Sequence, residues 1–482
     1  MSNAVALCWL IGMALVLTGL IVPASVFEPF AAGDTSHRLH MAQYPVVRMD
    51  NRIWLPILQM HIWVLYLLKA PLFAFKLIPN FYYFAAVVLA GMLAFTHAGK
   101  DRAALVFAIL FAFCFARQQV VLSLGTKLMQ ETIGLPMFLM LILGGALELR
   151  KNAWLVILAA CALMTRDDFW IYLAVVSILN WRKILSDRSY VLSFLALWAV
   201  PVAWLLMIPL VYWLLDGRLP EFPTEWPLGI NKSGNESVSS LSTAWSSLWL
   251  SLRRTGLVYL PPALLAVWLA IEIWISPTRR QPVRRETLNL RFMPFSLVSL
   301  GIIYGLTIVF DPYQATYGDW RMSLPLAMHG AVWVVILSAQ VSPERRYARF
   351  VVMAVLLLLL TPSTKTGEML LPWRNYAPVQ QVQREIETEL QQALDPDNAL
   401  VCIVDERYFI ALHRLLPATF YFKRTMVLQE RHSRLATCSA LLVRTGSHFR
   451  LTRGFKAYRS YTIDGIEYTL FWPGRKSPAI RG

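Results

Sequence analysis

The chain has 482 residues, of which 57% are hydrophobic and only 15% charged, with a formal net charge of +16. Soluble domains carry about 25% charged residues, so this composition excludes an ordinary soluble protein. Apolar runs that approach the ~20 residues of a bilayer crossing recur along the chain and indicate a polytopic α-helical membrane protein. Basic cytoplasmic loops account for the positive charge, so nucleic acid is not expected as a partner.

The first apolar segment, Val5 to Val22, is followed by no small-residue cleavage site and reads as a retained helix. Next comes residues 30–60, FAAGDTSHRLHMAQYPVVRMDNRIWLPILQM, which hold Asp34, Asp50, His37, His40, Arg38, Arg48, Arg52 and the entry Trp54-Leu55-Pro56. A plain loop between two spans is short and polar. Here charge alternates with apolar residues, which suits a segment folded on the membrane surface as the rim of a site centred on Asp34. An ordinary amphipathic connector is the alternative. Run length places spans at 4–24, 80–98, 103–120, 132–149, 153–165, 168–180, 189–214, 256–276, 293–310, 322–340 and 349–362. Residues 54–76 are apolar enough to cross, yet contain Pro56, Gln59, His61, Lys69 and Pro71.

Charge bias decides that segment. Suppose the amino terminus is cytoplasmic and 54–76 stays on the outer face. Lys100/Arg102, Arg150/Lys151, Arg182/Lys183/Arg188, the arginines at 279–291 and Arg345/Arg346/Arg349 then all fall inside, the positive-inside pattern. If 54–76 crosses, the later clusters move outside. Fusing 153–180 into one span repairs only part of this, and it buries Arg166, Asp167 and Asp168 at roughly +2.5–3.5 kcal/mol each. The expectation is about 11 transmembrane helices, with outer juxtamembrane helices in a first outer loop over 25–79. Asp34, Glu131, Asp167/Asp168, Asp216/Glu221 and Asp311/Asp319 then share the outer side. The spans around Thr165-Arg166-Asp167-Asp168 are short against the ~17–25 residues of a crossing, so their junction is expected below the outer surface, lining a cavity.

The segment 216–255 is rich in Pro, Gly and Ser and reads as a loop. After residue 363 the chain turns polar. A helix at 376–394, a strand at 400–404, a helix at 408–416 and strands at 419–422, 440–443 and 468–471 compose a small C-terminal α/β domain, 363–482, outside the cytoplasm. The five cysteines show no metal-type spacing. Cys402 ends one strand and Cys438 precedes another, and in an oxidising compartment the two are expected to be close enough to bond.

Four places carry a resemblance: Gly33-Asp34 in a long first outer loop, Trp54-Leu55-Pro56 with His61, Ser123 to Glu131 (SLGTKLMQE), and the pair Thr165-Arg166-Asp167 and Arg321-Met322-Ser323-Leu324-Pro325. Their order and sidedness over residues 1–362 resemble the GT-C superfamily of integral membrane glycosyltransferases. Within it, the chain is similar to bacterial polyprenyl-phosphate-sugar transferases related to protein O-mannosyltransferases and the lipid A aminoarabinose transferase. Thr35 stands where the family often has a second acid, and Asp167 and Met322 replace tyrosines of its Thr-Arg-Tyr and Arg-Tyr-Leu-Leu-Pro elements.

The resemblance implies sugar transfer from a polyprenyl-phosphate carrier to a hydroxyl of a glycan, lipid or protein, with inversion by single displacement. Such transfer needs a base, and a positioned carboxylate contributes typically ~10²–10⁴-fold. Asp34 is the first choice, with a helix N-cap as its plainer role. Glu131 and Asp167 are the other catalytic acids; Glu131 at a helix start is also favourable without function. The leaving phosphate needs cations, and arginine binds phosphate in bidentate fashion. Arg321, Arg166 and Arg117 are candidates, against a structural salt bridge for Arg166 and snorkelling for Arg117. His37, His61 and Lys69 complete the substrate-binding set. No cofactor is certain from the residues; a divalent cation is possible, with Asp34, Glu131 and His37 to hold it. The implied setting is a bacterial inner membrane, the amino terminus cytoplasmic and the C-terminal domain periplasmic or extracellular. The rival reading is a transporter or flippase of a lipid-linked sugar; the chain lacks the two related halves common there.

Overall fold

In lipid, a run of apolar residues satisfies its backbone only as a helix or a closed barrel, and among the described residues before 341 the regular elements are all helices. The computed structural model describes residues 1–27, 33–43, 56–126, 128, 130–148, 153–166, 168–217, 219, 287–310, 320–340, 373–422, 424–428, 437–446 and 454–473. The helices are α1 (Asn3–Phe27), α2 (Gly33–Ala42), α3 (Pro56–Leu67), α4 (Leu72–His97), α5 (Arg102–Ala116), α6 (Gln119–Thr126), α7 (Gln130–Leu143), α8 (Ala153–Leu163), α9 (Asp168–Leu179), α10 (Trp181–Ser186), α11 (Arg188–Asp216), α12 (Thr287–Phe310) and α13 (Trp320–Gln340). Among the described residues α1, α4 and α11 are long and apolar enough to cross a bilayer, and α5 with α6 joins them if the pair is one broken span. The spans expected at 256–276 and 349–362 lie outside the described residues, as does most of the 216–255 loop.

Two expected boundaries move. α4 begins at Leu72 rather than 80 and carries Pro79 inside it. Pro71 precedes the helix, and Lys76 and Pro79 interrupt the apolar run without ending the helix. The span expected at 103–120 stops at Ala116; after Arg117 and Gln118 the chain bends by 71° into α6. α3 remains separate from α4, with a turn over 68–70 and Lys69 at φ 51°.

α4 is the hub of the helical part and packs on α1, α5, α6, α7 and α13. Its approach to α1 is close because Gly91 has no side chain: a Cβ there would lie 2.5 Å from Leu10 Cδ2. The Met1 ammonium donates to the Lys100 carbonyl at 3.0 Å, so α1 starts at the end of the bundle where α4 finishes. At the other end, Asn80 donates to Ser25 Oγ (2.7 Å) and to the Gly125 carbonyl (2.8 Å), tying α4 to α1 and α6.

The C-terminal elements are α14 (Trp373–Ala393), β1 (Leu400–Val404), α15 (Tyr408–Thr419), β2 (Arg424–Leu428), β3 (Ala440–Arg444), β4 (Phe455–Ile463) and β5 (Ile466–Pro473). The sheet order is β2-β1-β3-β5-β4; β1 runs parallel to β2 and β3, and β5 pairs antiparallel with β3 and β4. β1 reads LVCIV because it is central and covered on both faces. The expected strand at 419–422 is instead the end of α15 and a turn, and pairing begins at Arg424. Phe420 and Phe422 are β-type residues, but they are spent on burial beside the helix end. β4 escaped the sequence reading because it is an edge strand with a largely exposed Lys456–Ser460 run.

Cys402 in β1 and Cys438 ahead of β3 form a disulfide with Cα atoms 5.9 Å apart, as expected from the sequence. Replacing both with serine should destabilise the sheet by ~2–5 kcal/mol, the usual cost of removing a native disulfide from a small domain. Urea unfolding followed by tryptophan emission, compared with the intact protein, measures this.

Candidate functional site

α8 stops at Leu163 and α9 starts at Asp168. At ~1.5 Å rise per residue neither helix spans a ~30 Å hydrocarbon core. Their junction is accordingly buried: Thr165 is fully enclosed, and Arg166 and Asp168 are 7% and 8% exposed. Arg166 Nη1 lies 3.3 Å from Glu131 Oε1, and its Nη2 donates to Asp168 Oδ2. Glu131 stands in the first turn of α7, where a carboxylate also gains from the helix dipole. Gly134 makes room for the arginine, since a Cβ there would come within 2.9 Å of Arg166 Cδ.

A fourth charge arrives from α2. Arg38 is 2% exposed. Burial pulls its pKa from 12.5 down to about 9, and attraction to Glu131 opposes that shift. Arg166 thus sits between two buried carboxylates, and the buried Arg38 guanidinium is within the electrostatic reach of one of them, Glu131.

An apolar cavity adjoins this cluster between α7, α8, α9, α11 and α12, with Phe138, Leu155, Leu163, Phe169, Tyr172 and Phe295 in its walls. Leu163 and Phe169 flank the charged junction in the chain. Behind the wall, His329 of α13 is fully buried and packs on Phe138, Tyr172, Phe292 and Phe295 at ring-centroid distances of 5.0–5.6 Å. Its Nδ1 lies 2.8 Å from Ser296 Oγ.

Of the residues singled out from sequence, Arg166 and Glu131 come together directly. Asp34 falls in the first turn of α2 and His37 in the second, and Arg321 in the first turn of α13; their side chains lie outside the described residues, as does all of Asp167. His61 is exposed on α3. Its Nδ1 donates to the Ile57 carbonyl at 2.7 Å, and Tyr82 Oη donates to its Nε2 at 2.8 Å. Lys69 is exposed and pairs at 3.4 Å with Asp397 beyond α14. Arg117 caps α5 with its guanidinium 5.4 Å from the Phe113 ring centre. Among the described residues no three His, Cys, Asp or Glu side chains gather as a metal site. Sequence reasoning gave no role of their own to Arg38, Gln43 or His329, and read His40 only as a histidine that could join acids around a divalent ion. For Arg38 a signal existed: it stands one helical turn after Asp34.

His40 Nε2 donates to the Thr425 carbonyl at 2.6 Å. Burial lowers the His40 pKa below its usual 6.5, and the bond to Thr425 only partly counters this. The unfolded histidine therefore binds a proton more readily than the folded one. This contact is at full strength above about pH 6.5 and weakens as the pH falls below it. Thermal unfolding between about pH 7.5 and 5 should show a loss on the acid side that His40→Gln reduces.

No protein-family model and no curated protein matches the chain. Its structure is similar to the crystal structure of ArnT from Cupriavidus metallidurans in the apo state, with a TM-score of 0.56 and 12% identity, covering 99% of this chain and 100% of that one. ArnT from the same organism bound to undecaprenyl phosphate matches with a TM-score of 0.55 and 11% identity, over 96% and 98% of the two chains. The likeness is one of fold, and it extends over the helical bundle and the C-terminal sheet together. The chain therefore shares the overall fold of these ArnT structures.

Proposed function

We propose that the protein is a membrane glycosyltransferase that moves a sugar from a polyprenyl-phosphate carrier to a hydroxyl of a glycan, lipid or protein on the outer face. The observation that carries this reading is the buried cluster of Glu131, Arg166, Asp168 and Arg38 beside an apolar cavity. A lipid-linked sugar phosphate is itself an anion joined to a long hydrocarbon, and one of the ArnT crystal structures holds undecaprenyl phosphate.

In this reading Asp34 takes the proton from the acceptor hydroxyl as the oxygen attacks the anomeric carbon, and the carrier phosphate leaves with inversion. Glu131, paired with Arg166, orients the acceptor. Arg166, held between two carboxylates, serves mainly to fix the cavity wall, which leaves Arg321 as the principal phosphate cation. Lys69, His61 and Arg117, at the rim, take weaker parts. Asp167 is the reserve base, and Asp34, Glu131 and His37 are the residues a divalent cation would use.

The topology that goes with this function has residues 363–482 outside a bacterial inner membrane. The Met1–Lys100 contact supports it, because the connection from α1 to α4 then makes no net crossing. Cysteine labelling should report Lys100, Arg150, Arg182, Arg284 and Arg345 positions as cytoplasmic and the tail as external; an internal tail overturns the arrangement. Purified protein assayed with a panel of polyprenyl-phosphate sugars should release the free polyprenyl phosphate from one donor. Movement of intact donor between leaflets without release would replace the enzyme by a flippase.

A further inference from the structure

β2 is an edge strand of the C-terminal sheet, and an edge strand leaves a row of N–H and C=O groups without a neighbouring strand. Thr425 directs both of its groups to α2 and the residue after it. Its N–H donates to Gln43 Oε1 at 2.8 Å, and its carbonyl accepts from His40 Nε2 at 2.6 Å. Gln43 Nε2 also donates to the Phe420 carbonyl at 2.8 Å and to Thr425 Oγ1 at 3.2 Å. His40 and Gln43 are 5% and 4% exposed. Leu39 and Ala42 add an apolar seam with Leu412, Leu416 and Phe420.

The opposite side of the same helix carries Arg38, which is buried within the electrostatic reach of Glu131. Arg38 precedes His40 by two residues, ~200° around the helix, and it is Arg38 that Glu131 attracts. α2 has 10 residues, fewer than the ~12–15 at which isolated helices become even marginal in water. Its position therefore comes from what grips it.

We propose that the C-terminal sheet sets the position of α2 in the transfer site, with His40 and Gln43 as positioning residues that hold Thr425. This rests on the transferase reading above, because α2 carries Asp34 and Arg38. The sheet then acts as a fixed jaw: its edge strand holds one side of α2 so that Arg38, on the other side, stays within reach of the Glu131 charge.

The test uses the full chain in lipid nanodiscs, with amide hydrogen exchange and undecaprenyl-phosphate binding as two separate readouts. Gln43→Ala should speed exchange over α2 at least tenfold while α4, β1 and β3 keep their protection, which reports intact folding. The same variant should bind undecaprenyl phosphate at least tenfold more weakly. His40→Ala should behave alike, and His40→Gln, which retains an N–H donor for the Thr425 carbonyl, should restore most of both. Unchanged α2 exchange in Gln43→Ala and His40→Ala overturns the clamp. Faster exchange with unchanged affinity reduces it to a packing contact and overturns the positioning role. If the intact protein binds no undecaprenyl phosphate, the transferase reading fails and the positioning role with it, while exchange alone judges the clamp.

Discussion

Asp34→Asn is expected to reduce sugar transfer by ~10²–10⁴-fold, the usual effect of removing a positioned base, while leaving expression and donor binding close to normal. Asparagine has the same size and keeps a hydrogen-bonding oxygen, but it cannot accept the acceptor's proton. Asp34 lies one helical turn before Arg38 on α2, and Arg38 is drawn to Glu131. That spacing assigns Asp34 to the segment the sheet holds against the charged junction. The measurement is initial-rate transfer beside undecaprenyl-phosphate affinity for the same preparation. Retention of more than a few per cent of activity would make Asp34 a first-turn acid of helical value only, and Glu131 or Asp167 would be the next base to test.

Arg166→Ala has the second large effect, and it falls first on stability. The arginine lies between Glu131 and Asp168, and the side chains of all three are at most 11% exposed. Removing it leaves two buried carboxylates facing one another with reduced compensation, a change that costs ~3–5 kcal/mol where buried pairs have been broken. Transfer should be lost together with thermal stability. Arg166→Lys retains charge but not the two-pronged geometry, so it should fall between. Detergent-solubilised thermal unfolding measured with the activity of all three proteins checks the order. An Arg166→Ala protein as stable as the parent but inactive would instead make Arg166 a direct phosphate ligand. The Arg321→Ala protein gives the comparison: it should lose donor affinity with little loss of stability.

The amino-acid sequence by itself determined the class of this protein and much of its linear order. Long apolar runs admit little besides helices in lipid, so α1 and α11 lie close to their expected limits and the short pair α8 and α9 stands where run length put it. Burial of Arg166 within the protein agrees with the enclosed junction expected between two short helices. The Cys402–Cys438 bond was legible from two cysteines placed beside predicted strands. Local pattern misjudged those places where an interruption in composition was not an interruption in structure. Pro79 is carried inside α4, and the Phe420–Phe422 run has β-type residues yet forms the buried end of α15 and its turn.

Only the tertiary structure decided which charges meet. Arg38, Glu131, Arg166 and Asp168 come from three parts of the chain, and nothing in their spacing couples Arg38 to Glu131; the folded chain does. It was likewise the fold that brought Thr425, 385 residues from His40, to the back of the helix bearing Asp34. Hydrophobic period fixes which residues form an element, through interactions over one or two turns. Which elements touch is set by packing and by the backbone groups an edge strand leaves open, and those are properties of the assembled chain.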